Sequence, residues 1–103
     1  MEKDERPIDR IRQLVDWLIE NRIVKSMSAF EKVCGLSHHY IRNLSATEKG
    51  NPGIDVAAKI YTVFPTLNLE WLVVGNGRMW KKKDDDDLVN KIKADIINKL
   101  ILM

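Results

Sequence analysis

The chain has 103 residues, of which 45% are hydrophobic and 31% charged, with a formal net charge of +2. That supplies one modest core and an appendage at most, not two domains, and no apolar run approaches the ~20 residues of a membrane span. The single cysteine, Cys34, excludes an internal disulfide and fits a reducing compartment.

The opening "MEKDERPIDR" is charged and no apolar stretch follows it, so no signal peptide is read and a cytoplasmic location is expected. Charge is uneven along the chain. Residues 1–83 carry 14 Lys and Arg against 10 Asp and Glu, whereas residues 84–103 carry 3 against 5. A basic body suits an anionic partner, although the imbalance is small.

The first helix is predicted from Pro7, which suits an initial turn where its missing N–H costs nothing. Ile8, Ile11, Leu14, Val15, Leu18 and Ile19 then recur at spacings of three and four as one apolar stripe, and Asn21-Arg22 closes it. "SMSAFEKVCG" predicts a short second helix. Its N-cap is Ser26, or Ser28 in a capping box with Glu31; its inner face is Phe30, Val33 and Cys34. Gly35 ends it, and Ser37 is expected to cap a third helix over His38–Leu44 with Ile41 and Leu44 inward.

"TEKGNPG" is dense in turn formers. A fourth helix is predicted over Ile54–Val63, burying Ile54, Ala57, Ala58, Ile60 and Tyr61, and "FPTLN" breaks it. Asn68 caps a fifth helix, "LEWLVVG", that Gly75 ends. Residues 81–87, "KKKDDDD", are expected to be a solvated charged linker. Residues 88–103 then carry Leu88, Val89, Ile92, Ile96, Leu100 and Ile101 on one amphipathic stripe, with Asp87 as a candidate cap. The fold class expected is all-α, with strand signals nearly absent.

Two short helices joined at Gly35, with apolar residues at Phe30, Leu36, Ile41 and Leu44, make a helix-turn-helix pattern. Packing of Ile41 and Leu44 inward turns His38, His39, Arg42 and Asn43 outward. Such a helix enters the major groove with its N-terminal residues at base edges. Asparagine can pair bidentately with adenine, arginine with guanine, and histidine can donate or accept. Arg10, Lys25, Ser26, Ser28, Lys32, Tyr40 and Lys49 are the candidate phosphate contacts, with Tyr40 alternatively lying against the fourth helix. The "GNPG" loop at a helix start is a further candidate phosphate seat.

Residues about 8–80 resemble the lambda-repressor-like helix-turn-helix family, through "AFEKVCGLSHHYIRNL" and through the ending "TLNLEWLVVGNGRMWK". The resemblance implies a five-helix DNA-binding domain over residues 1–80 that reads duplex DNA, commonly as a dimer, to repress or otherwise regulate transcription. Two departures stand out. Glu31 lies four residues before the turn glycine, where many members carry alanine, which implies looser packing between the helices. The loop after the third helix is also rather long.

Cys34 with His38 and His39 could suggest a metal, but structural zinc needs four ligands and no second pair is present. A Cys/His nucleophile lacks an orienting third group. Neither an enzyme nor a cofactor is therefore expected. Trp17 and Trp71 sit among apolar neighbours and read as core or core edge, while Trp80 is either a lid on the core or a partner contact. The terminal stripe either folds back on its own domain or pairs with a twin; the acidic linker and the marginal stability of a lone helix favour a homodimer through Leu88, Val89, Ile92, Ile96, Leu100 and Ile101. The function expected is a sequence-specific double-stranded DNA-binding regulator of phage or prophage repressor type. The alternative is a helix-turn-helix module that binds protein, such as an antitoxin or adaptor.

Overall fold

A computed structural model of the chain describes residues 5–83 and 85–102, with side chains through residue 99. Six helices follow one another: α1 (Pro7–Glu20), α2 (Met27–Cys34), α3 (Tyr40–Ser45), α4 (Ile54–Val63), α5 (Leu69–Val74) and α6 (Asp86–Leu102). Among the described residues no strand forms, and the only β-type pairing is an isolated antiparallel bridge between Leu67 and Trp80. The fold is all-α, as the periodicity of the sequence implies.

Local chemistry sets most of the boundaries. Pro7 begins α1, and the Asp9 carboxylate accepts the Arg6 backbone N–H at 2.9 Å. Ser26 is the cap of α2, its hydroxyl accepting from Ala29 N–H at 3.1 Å, so the Ser28 capping box does not form. Gly35 ends that helix with φ +75°, and the bonds Leu36 N–H to Glu31 O and Gly35 N–H to Lys32 O complete a Schellman closure. Asn68 caps α5, and Gly75 ends it at φ +93°.

The stripe of α1 forms the centre of the core: Ile8, Ile11, Leu14, Val15 and Leu18 are buried, and only Ile19 reaches solvent. Phe30 of α2 stacks on Phe64 with ring centroids 6.0 Å apart. On α4 the buried face is Val56, Ile60 and Val63, spaced four and three apart. Ile54, expected inside, is 90% exposed. It begins the helix, and rotation of the buried face onto Val56 leaves it pointing away from the core.

The largest correction concerns α6. Leu88, Ile92 and Ile96, expected to face a twin, are buried in the chain's own core, and α6 packs on α4. The fold-back alternative is the one taken. Thr66 Oγ1 donates to Asp95 Oδ2 at 3.3 Å, and Asp95 also receives Lys91 Nζ at 3.0 Å, so polar bonds flank the apolar stripe. Val89 is half-buried; the side chains of Leu100 and Ile101 lie outside the described residues. The cap of α6 is Asp85, whose carboxylate accepts Leu88 N–H at 3.2 Å, and not Asp87.

Nor does the charged stretch leave the body at Trp80. Trp80 is buried as a lid against Trp17, with ring centroids 4.9 Å apart. Lys81 N–H donates to Thr66 O at 2.9 Å, and Lys81 Nζ donates to the Tyr61 hydroxyl at 2.8 Å. The start of the expected 81–87 linker is thus tied down. No helix among the described residues is long and apolar enough to cross a membrane.

Candidate nucleic-acid interface

The α2–turn–α3 unit carries the residues singled out in the sequence. Ile41 is fully buried and Leu44 half-buried, which turns Arg42 and Asn43 to solvent. Asn43, Arg42 and His38 are exposed, and His39 is half-buried.

The start of α3 differs from the expected form. Ser37 does not cap it with its side chain; its carbonyl accepts Tyr40 N–H at 3.1 Å. His38 lies in the turn, and the cap position falls to His39, a non-glycine residue at φ +64° with no side-chain cap bond. That left-handed conformation is uncommon outside glycine, although histidine, like asparagine and aspartate, adopts it more readily than other residues. What holds it is Glu31. Its Oε1 accepts His39 N–H at 3.1 Å and its Oε2 accepts Ile41 N–H at 3.0 Å.

Glu31 is 2% exposed, so its carboxylate is a buried cap supplied by α2 to α3. Where an alanine would make only an apolar contact, both carboxylate oxygens bind the helix that follows. A negative group at a helix start is also favoured by the dipole. A signal existed in the sequence: Glu31 precedes Cys34 by three, which places it on the inner face of α2, where a charge needs a partner.

The imidazoles of His38 and His39 lie 3.6 Å apart between centroids, tilted by 37°. His39 titrates below its ordinary 6.5, first through lost hydration, then through the positive Arg42 and the neighbouring His38; the Glu31 charge opposes this more weakly. At neutral pH His39 is accordingly uncharged, with one donor and one acceptor nitrogen to offer a base edge.

A cleft of about 250 Å³ opens between the start of α2 and the start of α3, lined by Ser26, Met27, Ser28, Glu31, His39 and Arg42. It gathers residues read separately as phosphate contacts and base readers. The first turn of α2 adds backbone N–H groups that have no partner within their own helix, which favours an anion, while the Glu31 carboxylate on the same lining opposes one.

Other candidates lie elsewhere. Lys25 and Lys32 are exposed together along a second depression with Ile23, Val24, Ala29, Val33 and Ile96. Lys49 is exposed in the loop after α3. That loop is anchored by Arg6, whose guanidinium donates to Thr47 O at 2.9 Å and Gly50 O at 3.2 Å, a role that no local pattern around Arg6 signals. Tyr40 takes the packing alternative: it is half-buried against the core, and its phenol is pushed above 10 by burial and then by the Asp55 carboxylate. Asp55 also sets a negative charge in the first turn of α4, which weakens the "GNPG" loop as a phosphate seat.

Arg10 is removed from the phosphate set. It is 4% exposed, with Nε donating to Leu72 O at 2.9 Å and Nη2 to Val73 O at 3.0 Å. Its charge closes the carbonyl end of α5 and pairs with Glu5 at 3.1 Å. Cys34 is buried and its thiol is pushed up to about 12, chiefly by desolvation, so it is a core residue. Among the described residues no group of three or more His, Cys, Asp and Glu could hold a metal.

Comparison of the chain with family models, curated proteins and solved structures returns no match.

Proposed function

We propose that the chain is a sequence-specific double-stranded DNA-binding transcriptional regulator of the lambda-repressor-like helix-turn-helix kind, acting as a repressor of phage or prophage type. The observation that carries this reading is the cleft at the α2 and α3 starts, where Ser26, Ser28, His39 and Arg42 converge beside the exposed Asn43. His38, His39, Arg42 and Asn43 read bases. Ser26 and Ser28 hold a phosphate beside them, and Lys25, Lys32 and Lys49 supply further charge along the backbone.

Two half-sites call for two linked copies, and the reading retains a homodimer. The Leu88–Ile92–Ile96 stripe is spent within the chain, so the contact must use another face. Ile54, Val73 and Val74 remain exposed, and Ile54 and Val73 line a groove with Pro7, Pro52 and Ala57. The same apolar patch favours the second reading, a helix-turn-helix module that holds a different protein.

Selection of bound fragments from random duplex DNA tests the first reading. His39→Ala and Asn43→Ala are expected to weaken the selected site by about 1–3 kcal/mol each while leaving random DNA nearly unaffected. Lys25→Ala or Lys49→Ala is expected to weaken all duplexes alike and to lower the salt slope by about one unit. Absence of any enriched sequence, with no salt-dependent retardation, would refute DNA reading and leave the protein-binding module.

A further inference from the structure

A groove of about 400 Å³ opens between the turn that joins α1 to α2, one face of α2, and Ile96 of α6. Its floor is the margin of the core. Val24, Val33 and Ile96 keep 7%, 8% and 8% of their surface exposed, whereas Phe30, Leu88 and Ile92 on the same two helices keep none. Ile23 and Ala29, both half-buried, extend the apolar lining.

The remaining lining residues are Lys25 and Lys32. Both are exposed, and neither forms an ion pair among the described residues. Lysines at such an edge lay their methylene stems on apolar surface and keep the ammonium in water. Two more, Lys93 and Lys99, lie three residues either side of Ile96 on α6, and the Lys99 charge is felt at the Cys34 thiol, next to Val33. Among the described residues no carboxylate lines the groove.

A phosphate would use the lysines and leave the apolar floor in water; a neutral apolar chain would leave the lysines unused. An occupant that uses both has an apolar tail and an anionic head. The volume lies at the small end of the roughly 300–1,000 Å³ of small-ligand sites, which suits one alkyl chain better than a protein helix. We propose that the groove binds a free medium-chain fatty acid, its chain on Val24, Val33 and Ile96 and its carboxylate among the rim lysines. The proposal does not rest on DNA reading. The groove at Pro7, Ile54 and Val73 supplies an internal control: it is apolar too, but no lysine or arginine lines it, and Asp55 follows Ile54 at the start of α4.

The test is an NMR titration of the full chain with decanoate, kept below its micelle concentration, following valine and isoleucine methyl resonances. Those of Val24, Val33 and Ile96 are expected to shift and saturate, while those of Ile54 and Val73 stay in place. Butyrate, with too short a tail, and decyltrimethylammonium, with the opposite charge, are expected to bind more weakly. Lys25→Gln and Lys32→Gln are each expected to raise the dissociation constant about two- to fivefold. Ala29→Glu sets a carboxylate in the lining and suits the third position of α2 after the Ser26 cap, so it is expected to weaken binding further without loss of the fold. Equal shifts at Ile54 and Val73, equal affinity for decyltrimethylammonium, or Ala29→Glu binding as well as the parent chain would each overturn the assignment. So would the absence of a saturable shift, the result expected when a second copy or the chain's own end fills the groove. Retention by phosphatidylglycerol vesicles without a response to decanoate would overturn it in favour of a lipid surface.

Discussion

Replacing Glu31 by alanine, the residue that the resembled family often carries there, tests the buried cap directly. The parent side chain is 2% exposed and accepts two backbone N–H groups of α3, from His39 at 3.1 Å and Ile41 at 3.0 Å. Alanine removes the acceptor of both donors. An unsatisfied buried group costs about 1–3 kcal/mol. The Ile41 amide is fully enclosed and the His39 amide only partly, so the expected loss is about 3 kcal/mol.

Against a total of about 5–15 kcal/mol for a domain of this size, that is a large fraction. It corresponds to a fall in Tm of roughly 12–20 °C. Glu31→Gln keeps one acceptor oxygen but points an NH2 group at the second N–H, so an intermediate loss of about 1–2 kcal/mol is expected. Urea unfolding followed by circular dichroism measures both, with the exposed Glu48→Ala as a control expected within about 0.5 kcal/mol of the parent. Should Glu31→Ala lie within about 1 kcal/mol of the parent, or Glu31→Gln prove the more damaging of the two, the carboxylate is not the cap of α3.

Truncation after Lys83 removes the buried Leu88, Ile92 and Ile96, worth roughly 4–9 kcal/mol together, so the shortened chain is expected to lose its dispersed NMR spectrum; a cooperative unfolding transition within about 2 kcal/mol of the full chain would show that α6 is dispensable. The Cys34 thiol, pushed to about 12 by burial, stays protonated when folded, whereas a solvated thiol ionises near 9.0. Its contribution to stability is therefore full below pH 9.0 and declines as pH rises from there toward 12. At pH 8 its labelling by a disulfide reagent is expected to be roughly a thousandfold slower in the native chain than in urea, and a difference under about tenfold would contradict its burial.

What was legible in the sequence is what depends on neighbours within one or two turns. The stripe of α1, the Ser26 and Asn68 caps, and the glycine closures at Gly35 and Gly75 are all local. Spacing and side-chain chemistry decide these before any tertiary contact forms. The outward face of Arg42 and Asn43 follows in the same way, once Ile41 and Leu44 are inward.

Tertiary structure decided the destinations of charged and end-of-helix residues. Arg10 has the type and exposure pattern of a phosphate contact until α5, 62 residues later, brings the Leu72 carbonyl to its guanidinium. Arg6 finds the loop after α3 in the same fashion, 44 residues away at Gly50. Glu31 binds across the turn and forces His39 into a left-handed conformation that no capping rule for Ser37 contains. An amphipathic stripe states that α6 needs an apolar partner, but not which one. The choice between a twin and its own core rests on the shape of the surface beside α4, which is built from residues far apart in the sequence.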